Sequence, residues 1–251
     1  MNKILIVIPF CKGDGAMAEK LCDWIFFLNN KESRGHCLLV PSGDVHAELV
    51  TKVQLAAEVA FESVSMCPNA TPTPAPTKFE GTNRAFLSAA TFVNANFKWP
   101  FLFLEPDCVP LQPHWLESLS EAYQSQPKRY MGPIMKYMLP DKTEKLFLGR
   151  VAVYPPDAVN DLKQYCGTPQ EFSLMAGENL VRMTSKSQLF QQMQYKDGGD
   201  KAKLRPDAVV LHGDKKGQLI SVLRGELKPA PVANGEVIAI RTTQKPARVA
   251  A

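Results

Sequence analysis

The sequence predicts an α/β fold, with a mostly parallel central sheet flanked by helices and a small irregular C-terminal part. Three observations favour this fold class. Strand-like and helix-like segments alternate through the first half of the 251 residues, as is typical of parallel sheets. The first segment, residues 3–10, is a continuous apolar run rich in β-branched residues, as in strands buried on both faces. A hydrophobic content of 45% is also sufficient to fill a sizeable core.

The other elements of the first half follow from apolar spacing and turn residues. Residues 68–78 hold four prolines among eleven residues, which predicts an extended, irregular segment. A helix is predicted to begin at Trp115, after a proline-rich turn. The remaining predicted strands are 36–44, 61–66 and 101–104, and the remaining predicted helices are 16–29, 45–61 and 83–96.

The second half is less regular. The segments 129–138 and 144–155 are strand-like, and the apolar spacing of 177–193 predicts a helix. Residues 207–221 are predicted to form a strand, a turn and one further element. We therefore expect one domain over residues 1–225 and a tail or an edge strand over residues 226–251.

Composition argues against several classes of protein. No apolar run approaches the 18 residues that indicate a membrane-spanning helix, and the apolar run near the N-terminus lacks the cleavage site of a signal peptide. The six cysteines are scattered and include no C-x-x-C pair, which predicts reduced core thiols rather than a disulfide framework or a zinc site. We expect a cytoplasmic protein that does not associate with a membrane.

Two carboxylates follow the predicted strand 101–104. Glu105 and Asp107 are two residues apart on a segment stiffened by Pro106 and Pro110, so we expect both side chains to project to the same side. Ligands of open α/β sheets bind at the carboxyl ends of the strands, where Mg²⁺ or Mn²⁺ would find the oxygen ligands that they prefer. The pair therefore predicts a divalent-cation site. Alternatively, Asp107 only caps backbone N–H groups of the turn.

A second strand end carries complementary side chains. The apolar strand within residues 207–221 ends at His212, and a glycine-flanked basic turn with Lys215 and Lys216 follows. Histidine is a common metal ligand, and lysine can hold a phosphate as a point charge. The alternative is that His212 is an ordinary hydrogen-bonded residue at a strand end.

Taken in order, these stretches resemble the GT-A nucleotide-sugar glycosyltransferases, and most of all the family-2-like members, including small forms encoded by bacteriophages. The resemblance spans roughly residues 3–222. It implies the GT-A, Rossmann-like form of the α/β fold and transfer of a sugar from a nucleoside diphosphate donor. A UDP-sugar is the expected donor, and Mn²⁺ or Mg²⁺ is the expected cofactor. The stretches that carry the resemblance are the first strand ending in Pro, the small polar turn after the second strand, GTNRAF, FLFLEPDCVPLQPHWLESL and the His-Gly-x-Lys turn.

The resemblance also implies roles for individual residues. Asp107 would be the principal cation ligand in a D-x-D-like motif, with Glu105 on the cation or the ribose and His212 completing the site. Lys215 would neutralise the leaving diphosphate, so that cation and lysine stabilise charge that grows as the sugar–phosphate bond breaks. The residues expected around the nucleotide and the donor sugar are Pro9, Phe10, Lys12, Asp14, Gly43, Asp44, Asn83 and Arg84.

The sequence departs from the family pattern at two points. The first motif acid is Glu105 rather than Asp, so its side chain has a different reach. The late acidic pair of inverting members has no clear counterpart. Glu171 and Glu178 are each a candidate catalytic base or acceptor-binding carboxylate, or else a solvated acid at a helix start. With a His-Gly-x-Lys turn and no clear base, retention of anomeric configuration is expected over inversion.

The predicted acceptor follows from the distribution of charge. Residues 182–251 hold 13 Lys and Arg against 6 Asp and Glu, whereas residues 1–181 hold 16 against 19. The basic third is either a solvated surface or a binding surface for a polyanion. With the phage-like resemblance, it suggests a hydroxylated base in DNA as one acceptor. The basic residues expected to hold that DNA are Lys201, Lys203, Arg205 and Arg224.

Two other functions remain open at this point. A nucleotidyltransferase would bind nucleotides on a related fold. Such enzymes usually carry a Gly-rich phosphate loop after the first strand, and PFCKGDG is only weakly similar to one. A non-catalytic module that binds nucleic acid or protein would use the same acids only as helix or turn caps.

Overall fold

Twelve strands and seven helices make up the described part of the chain. The computed structural model describes residues 3–29, 35–68, 77–138, 142–192 and 204–225. In chain order the elements are β1 (Leu5–Phe10), α1 (Gly15–Asn29), β2 (His36–Pro41), α2 (Ala47–Ala60), β3 (Ser63–Met66), α3 (Lys78–Asn96), β4 (Phe101–Phe103), β5 (Cys108–Pro110), α4 (Trp115–Ser125), β6 (Tyr130–Gly132), β7 (Ile134–Met138), β8 (Glu144–Leu148), β9 (Val153–Tyr154), α5 (Ala158–Cys166), α6 (Phe172–Arg182), β10 (Thr184–Lys186), β11 (Phe190–Gln192), β12 (Val210–His212) and α7 (Gln218–Leu223).

A seven-stranded sheet forms the centre, in the order β10-β6-β9-β4-β1-β2-β3. β9 runs antiparallel to both of its neighbours, and the other pairings are parallel. Val7 lies opposite Phe103 and Phe10 lies opposite Pro41, so β1, β2 and β4 end at the same edge of the sheet. The prediction of an α/β fold with a mostly parallel central sheet is confirmed.

The sheet is covered on both faces because its strands are apolar on both sides. In β1 the side chains alternate, with Ile6 and Ile8 in a core layer beneath α1, α2 and α4. Leu5 and Val7 lie in the opposite layer, beneath α3, α5 and α6. Burying each such side chain stabilises the fold by about 1.5–3 kcal/mol before entropy is counted. The strands that end at the carboxyl edge are thus packed on both faces.

A small second sheet brings a distant segment to that edge. β12 pairs antiparallel with β5, which places His212 opposite Cys108, and β11 pairs parallel with β12. The remaining two strands, β7 and β8, form an antiparallel hairpin of their own.

Several predicted elements differ from the structure. The strand-like segments 129–138 and 144–155 each form two short strands, β6 with β7 and β8 with β9, which belong to different sheets. Helix α3 begins at Lys78 rather than at residue 83, because Thr77 and Glu80 form a capping box that starts the helix earlier. Residues 177–193 are not one helix, since α6 ends at Arg182 and the chain continues into β10 and β11. Thr184–Lys186 pairs with β6, and this pairing overrides the weak helical spacing.

The predicted tail, residues 226–251, lies outside the described residues, as does most of the proline-rich segment. Among the helices that the structure describes, none combines the length and the apolar character needed to cross a bilayer.

Candidate active site

The acidic turn between β4 and β5 is a tight turn at the carboxyl edge of the sheet. The N–H of Cys108 donates to the carbonyl of Glu105 at 2.9 Å, and Pro106 occupies the second position of the turn, where its fixed φ is favourable. Glu105 and Asp107 are only 8% and 6% exposed. The turn therefore holds two nearly buried carboxylates two residues apart.

His212 lies between these two carboxylates. Its Nε2 is 2.8 Å from Glu105 Oε2 and 3.4 Å from Asp107 Oδ1, and its Nδ1 is 2.7 Å from Gln192 Oε1. The backbone locks the two segments together, because the N–H groups of Gly213 and Asp214 both donate to the Asp107 carbonyl. Two strand ends more than a hundred residues apart thus form a single cluster.

Two cationic side chains complete the cluster. Lys215 donates to Asp107 Oδ2 from the turn after β12. Arg150, which follows β8, lies 3.2 and 3.3 Å through Nη2 from the two Glu105 oxygens. Its Nε is 3.4 Å from Glu171 Oε1, which also accepts a hydrogen bond from the Ser173 hydroxyl.

The electrostatics of the cluster follow from burial and from these pairings. Burial opposes ionisation of Glu105 and Asp107, but the charges and hydrogen bonds of Arg150, His212 and Lys215 hold the pKa of each carboxyl below its usual range. Burial also disfavours a charged His212, yet hydrogen bonds to Asp107 and Glu105 and their negative charges raise its pKa to about 9. The cluster is therefore an internally neutralised set of ion pairs.

The donor atoms fit a hard divalent cation. Adjacent ligands of an octahedral ion with bonds of about 2.1 Å lie about 3 Å apart, close to the 2.8 and 3.4 Å that separate His212 Nε2 from the two carboxylates. Because Gln192 accepts from Nδ1–H, a neutral His212 directs its Nε2 lone pair at the acids. Cys108 Sγ also lies within 4.8 Å of the Asp107 and His212 ligand atoms. Burial raises the pKa of this thiol well above its ordinary value, and a sulfur ligand is softer than the oxygen ligands that Mg²⁺ and Mn²⁺ prefer.

The structure places other predicted residues at the same edge. Burial raises the pKa of Asp14, and the negative charges of Glu105 and Asp107 raise it further. Asp14 therefore lies close enough to both carboxylates to be repelled by them. Pro9 and Phe10 are buried at the end of β1, and Lys12 is exposed in the loop that follows. The loop after β2 carries Gly43 and Asp44, both exposed, and the Ser42 hydroxyl donates to Asp44.

Three predicted residues, Asn83, Glu178 and Arg84, make no hydrogen bond or ion pair to Glu105, Asp107 or His212 among the described residues. Asn83 is fully buried inside α3 and holds the segment before α6, donating to the carbonyls of Thr168 and Gln170 and accepting from the Phe172 N–H. Glu178 is 79% exposed at its side chain and pairs with Arg182 one turn later on α6. Arg84 is half-buried on α3, and no ion pair or hydrogen bond among the described residues joins it to the cluster.

Of the basic residues expected to hold DNA, the structure describes Arg205 and Arg224, and both contact other residues of the chain. Arg205 donates to Gln188 and to the Phe190 carbonyl, and Arg224 lies over the Trp24 and Phe27 rings at 5.8 and 5.7 Å. Lys201 and Lys203 lie outside the described residues. The two arginines that the structure describes therefore serve internal contacts.

Arg150 and Gln192 are functional candidates that the sequence reasoning missed. Arg150 lies within the strand-like segment 144–155, and only the division of that segment into β8 and β9 places it after a strand end. Gln192 ends β11, which falls in the segment 177–193 that was predicted to be a helix.

The fold is shared with solved glycosyltransferases. The galactosyltransferase LgtC, solved in complex with donor and acceptor sugar analogues, superposes with a TM-score of 0.57 at 10% sequence identity, covering 91% of this chain and 98% of LgtC. Mouse xyloside xylosyltransferase 1 gives 0.55 at 10% identity over 84% and 98% of the two chains, and the bifunctional glycosyltransferase WbbM gives 0.53 at 11% over 84% and 45%. No protein-family model and no curated protein matches the chain by sequence. The central sheet and its flanking helices thus form the GT-A fold.

Proposed function

We propose that this protein is a divalent-cation-dependent glycosyltransferase that moves a sugar from a nucleoside diphosphate donor to a hydroxyl acceptor. The observation that carries the proposal is the convergence of Glu105, Asp107 and His212, with Lys215 beside them, at the carboxyl edge of a GT-A sheet. Edges of this kind bind ligands in open α/β folds. The likeness to LgtC, whose structure holds donor and acceptor sugar analogues, supports the same class of reaction.

Each residue of the cluster has a proposed task. Asp107 and His212 hold the cation, and Glu105 either joins them or binds the ribose. When bound, Mn²⁺ or Mg²⁺ supplies positive charge beside the diphosphate. Lys215, half-exposed on its turn, shifts from Asp107 to the leaving diphosphate and stabilises the charge that develops there.

The surroundings of Glu171 bear on stereochemistry. Its Oε1 is engaged by both Arg150 and the Ser173 hydroxyl, which suits a carboxylate that binds a sugar hydroxyl better than an unpaired general base. We therefore propose retention of anomeric configuration. Nuclear magnetic resonance of the first product anomer checks this, and initial formation of the opposite anomer would contradict it.

Calorimetry with and without Mn²⁺ tests the proposed function. We expect UDP, or another nucleoside diphosphate in a panel, to bind in Mn²⁺ and to lose most of its affinity in EDTA. Asp107→Ala should abolish the Mn²⁺-dependent part without unfolding the protein, while Asp23→Ala, which removes an exposed acid on α1, should bind as the wild type does. If no nucleoside diphosphate binds in the presence of metal, the proposal is wrong.

The chemistry of transfer is tested with a donor panel. Mass spectrometry should find a hydrolysed or transferred sugar, whereas transfer of a nucleotidyl group would instead favour a nucleotidyltransferase. DNA with hydroxylated bases belongs in the acceptor panel because of the basic excess in residues 182–251. Binding of such DNA should weaken steeply with salt, and salt-independent binding would exclude this acceptor.

A further inference from the structure

Arg150 is a nearly buried cation whose backbone is anchored by a hydrogen bond from Tyr154. Its side chain is 13% exposed. The Tyr154 hydroxyl donates to the Arg150 carbonyl at 2.8 Å, and the fully buried Tyr154 ring packs against Phe86, Phe101 and Tyr130. The backbone of Arg150 is therefore fixed to the aromatic core on the α3 side of the sheet.

Its guanidinium spans two carboxylates that belong to different elements. Nη2 contacts both oxygens of Glu105, at the end of β4, and Nε contacts Glu171, the residue before α6. The Glu105 carboxylate is thereby held by Arg150 and His212 together, with Oε2 directed at His212 Nε2. A planar fork with several donors can make such a bridge, whereas a single ammonium cannot make it in the same geometry.

Charge and geometry predict different consequences for this bridge. As a positive charge close to the cation site, Arg150 would repel a divalent cation, and its removal would strengthen binding. By binding Glu105, however, Arg150 fixes the orientation of that carboxylate before the cation binds, and this favours cation binding. A substitution that keeps the charge and removes the fork separates the two effects.

We propose that Arg150 is a positioning residue that sets the orientation of the Glu105 carboxylate in the cation site and holds the start of α6, with Glu171, against it. The inference rests on the proposed function, because it concerns the cation of that same site.

The test measures Mn²⁺ affinity without any sugar nucleotide. In Arg150→Lys we expect the dissociation constant for Mn²⁺, followed by calorimetry or by the free-ion electron paramagnetic resonance signal, to rise about tenfold. Arg129→Lys is a matched control, since Arg129 also bridges two carboxylates, those of Asp157 and Asp161, but lies elsewhere on the surface. Its Mn²⁺ affinity should stay within twofold of the wild type.

A double-mutant cycle shows whether Arg150 acts through Glu105. In a Glu105→Gln background, Arg150→Lys should change Mn²⁺ affinity by less than about twofold, because the carboxylate that it positions is gone. An equal tenfold loss in both backgrounds would show that Arg150 acts on another group and would overturn the inference. Unchanged Mn²⁺ affinity in Arg150→Lys would overturn it as well.

A second variant covers the case in which Arg150→Lys does not fold. Tyr154→Phe removes only the hydroxyl that fixes the Arg150 backbone, and we expect it to weaken Mn²⁺ binding about threefold, within the range of one hydrogen bond. Unchanged affinity in Tyr154→Phe would then contradict the proposal. If the wild-type protein binds no Mn²⁺ even with nucleotide, the proposed function itself fails, which is a different outcome from any of these.

Discussion

At the scale of single residues, Lys215 and a cation compete for the same carboxylate. In the structure the Lys215 ammonium donates to Asp107 Oδ2, while His212 Nε2 lies 3.4 Å from Oδ1. A divalent cation that binds Asp107 must displace at least part of this arrangement. The role of Lys215 therefore depends on whether a diphosphate is present to receive its ammonium.

Lys215→Met should change two affinities in opposite directions. We expect Mn²⁺ alone to bind more tightly, because one repelling charge and one competitor for Asp107 are gone. We expect the Mn²⁺ complex of UDP to bind more weakly, because the diphosphate loses its lysine. Since Lys215 is 41% exposed at its side chain, each change should be about 1 kcal/mol, roughly fivefold.

Calorimetric titration of both ligands measures the two effects. Lys216→Met, which removes the next, exposed lysine, is the matched control and should alter neither affinity by more than about twofold. Changes of the same sign for both ligands would mean that Lys215 does not move between Asp107 and the diphosphate.

The sequence predicted that Asp107, His212 and Lys215 would lie together, and the structure brings them into contact. His212 ends an apolar strand and Asp107 and Lys215 each lie in a turn after one, and polar residues at strand ends meet at one edge of the sheet. Asn83 could not be placed in this way. Its burial against the segment before α6 depends on how two helices pack, which local patterns do not encode.

At the scale of elements, α6 consists of two helical pieces joined at Gly177. The backbone of Gly177 has φ 44° and ψ −124°, a conformation that side chains with a Cβ rarely adopt. A Cβ at this position would meet no atom within 4 Å, so any cost of a side chain there is conformational rather than steric. The break lies at the first residue of the predicted helix 177–193, whereas the later part of that segment forms β10 and β11.

Gly177→Ala should lower the free energy of unfolding by about 2 kcal/mol, the cost of forcing a non-glycine residue into this region. Urea denaturation measures the loss. Gly167→Ala is a matched control, because a Cβ there also meets nothing within 4 Å but φ is −84°, so its effect should be within about 0.5 kcal/mol of zero. Equal effects of the two substitutions would contradict the conformational explanation.

At the scale of the whole molecule, the fold class was predictable and the smaller sheets were not. Strand–helix alternation predicted the central parallel sheet, since that pattern is set by continuous apolar runs such as Leu5–Phe10. β5, β11 and β12 are three residues each, and they exist only because they pair with one another. Pairing of this kind, between segments distant in sequence, leaves little trace in composition or spacing.

The reactivity of the six cysteines depends on how tightly the core around them is packed. All are free thiols, and all except the half-buried Cys11 are buried. Burial raises the pKa of Cys22 and Cys166 to about 12 and that of Cys67 to about 11, so almost no thiolate forms at pH 8. Five of the six cysteines thus lie in the core, as the sequence predicted.

Alkylation of the native protein at pH 8, followed by mass spectrometry, should modify Cys11 slowly and no other cysteine to a comparable extent. After denaturation, all six should react. Rapid modification of Cys22, Cys37 or Cys166 in the native protein would show that the two core layers are not packed as described.

We propose that His212 and the two acids of the β4–β5 turn form one cation site. Pulsed electron paramagnetic resonance of bound Mn²⁺ tests it most directly, because a coordinated imidazole gives a nitrogen hyperfine coupling. We predict this coupling in the wild-type protein with UDP, and its loss in His212→Gln while some Mn²⁺ remains bound through Asp107. Bound Mn²⁺ with no nitrogen coupling in the wild type, or with a coupling that survives in His212→Gln, would contradict the site.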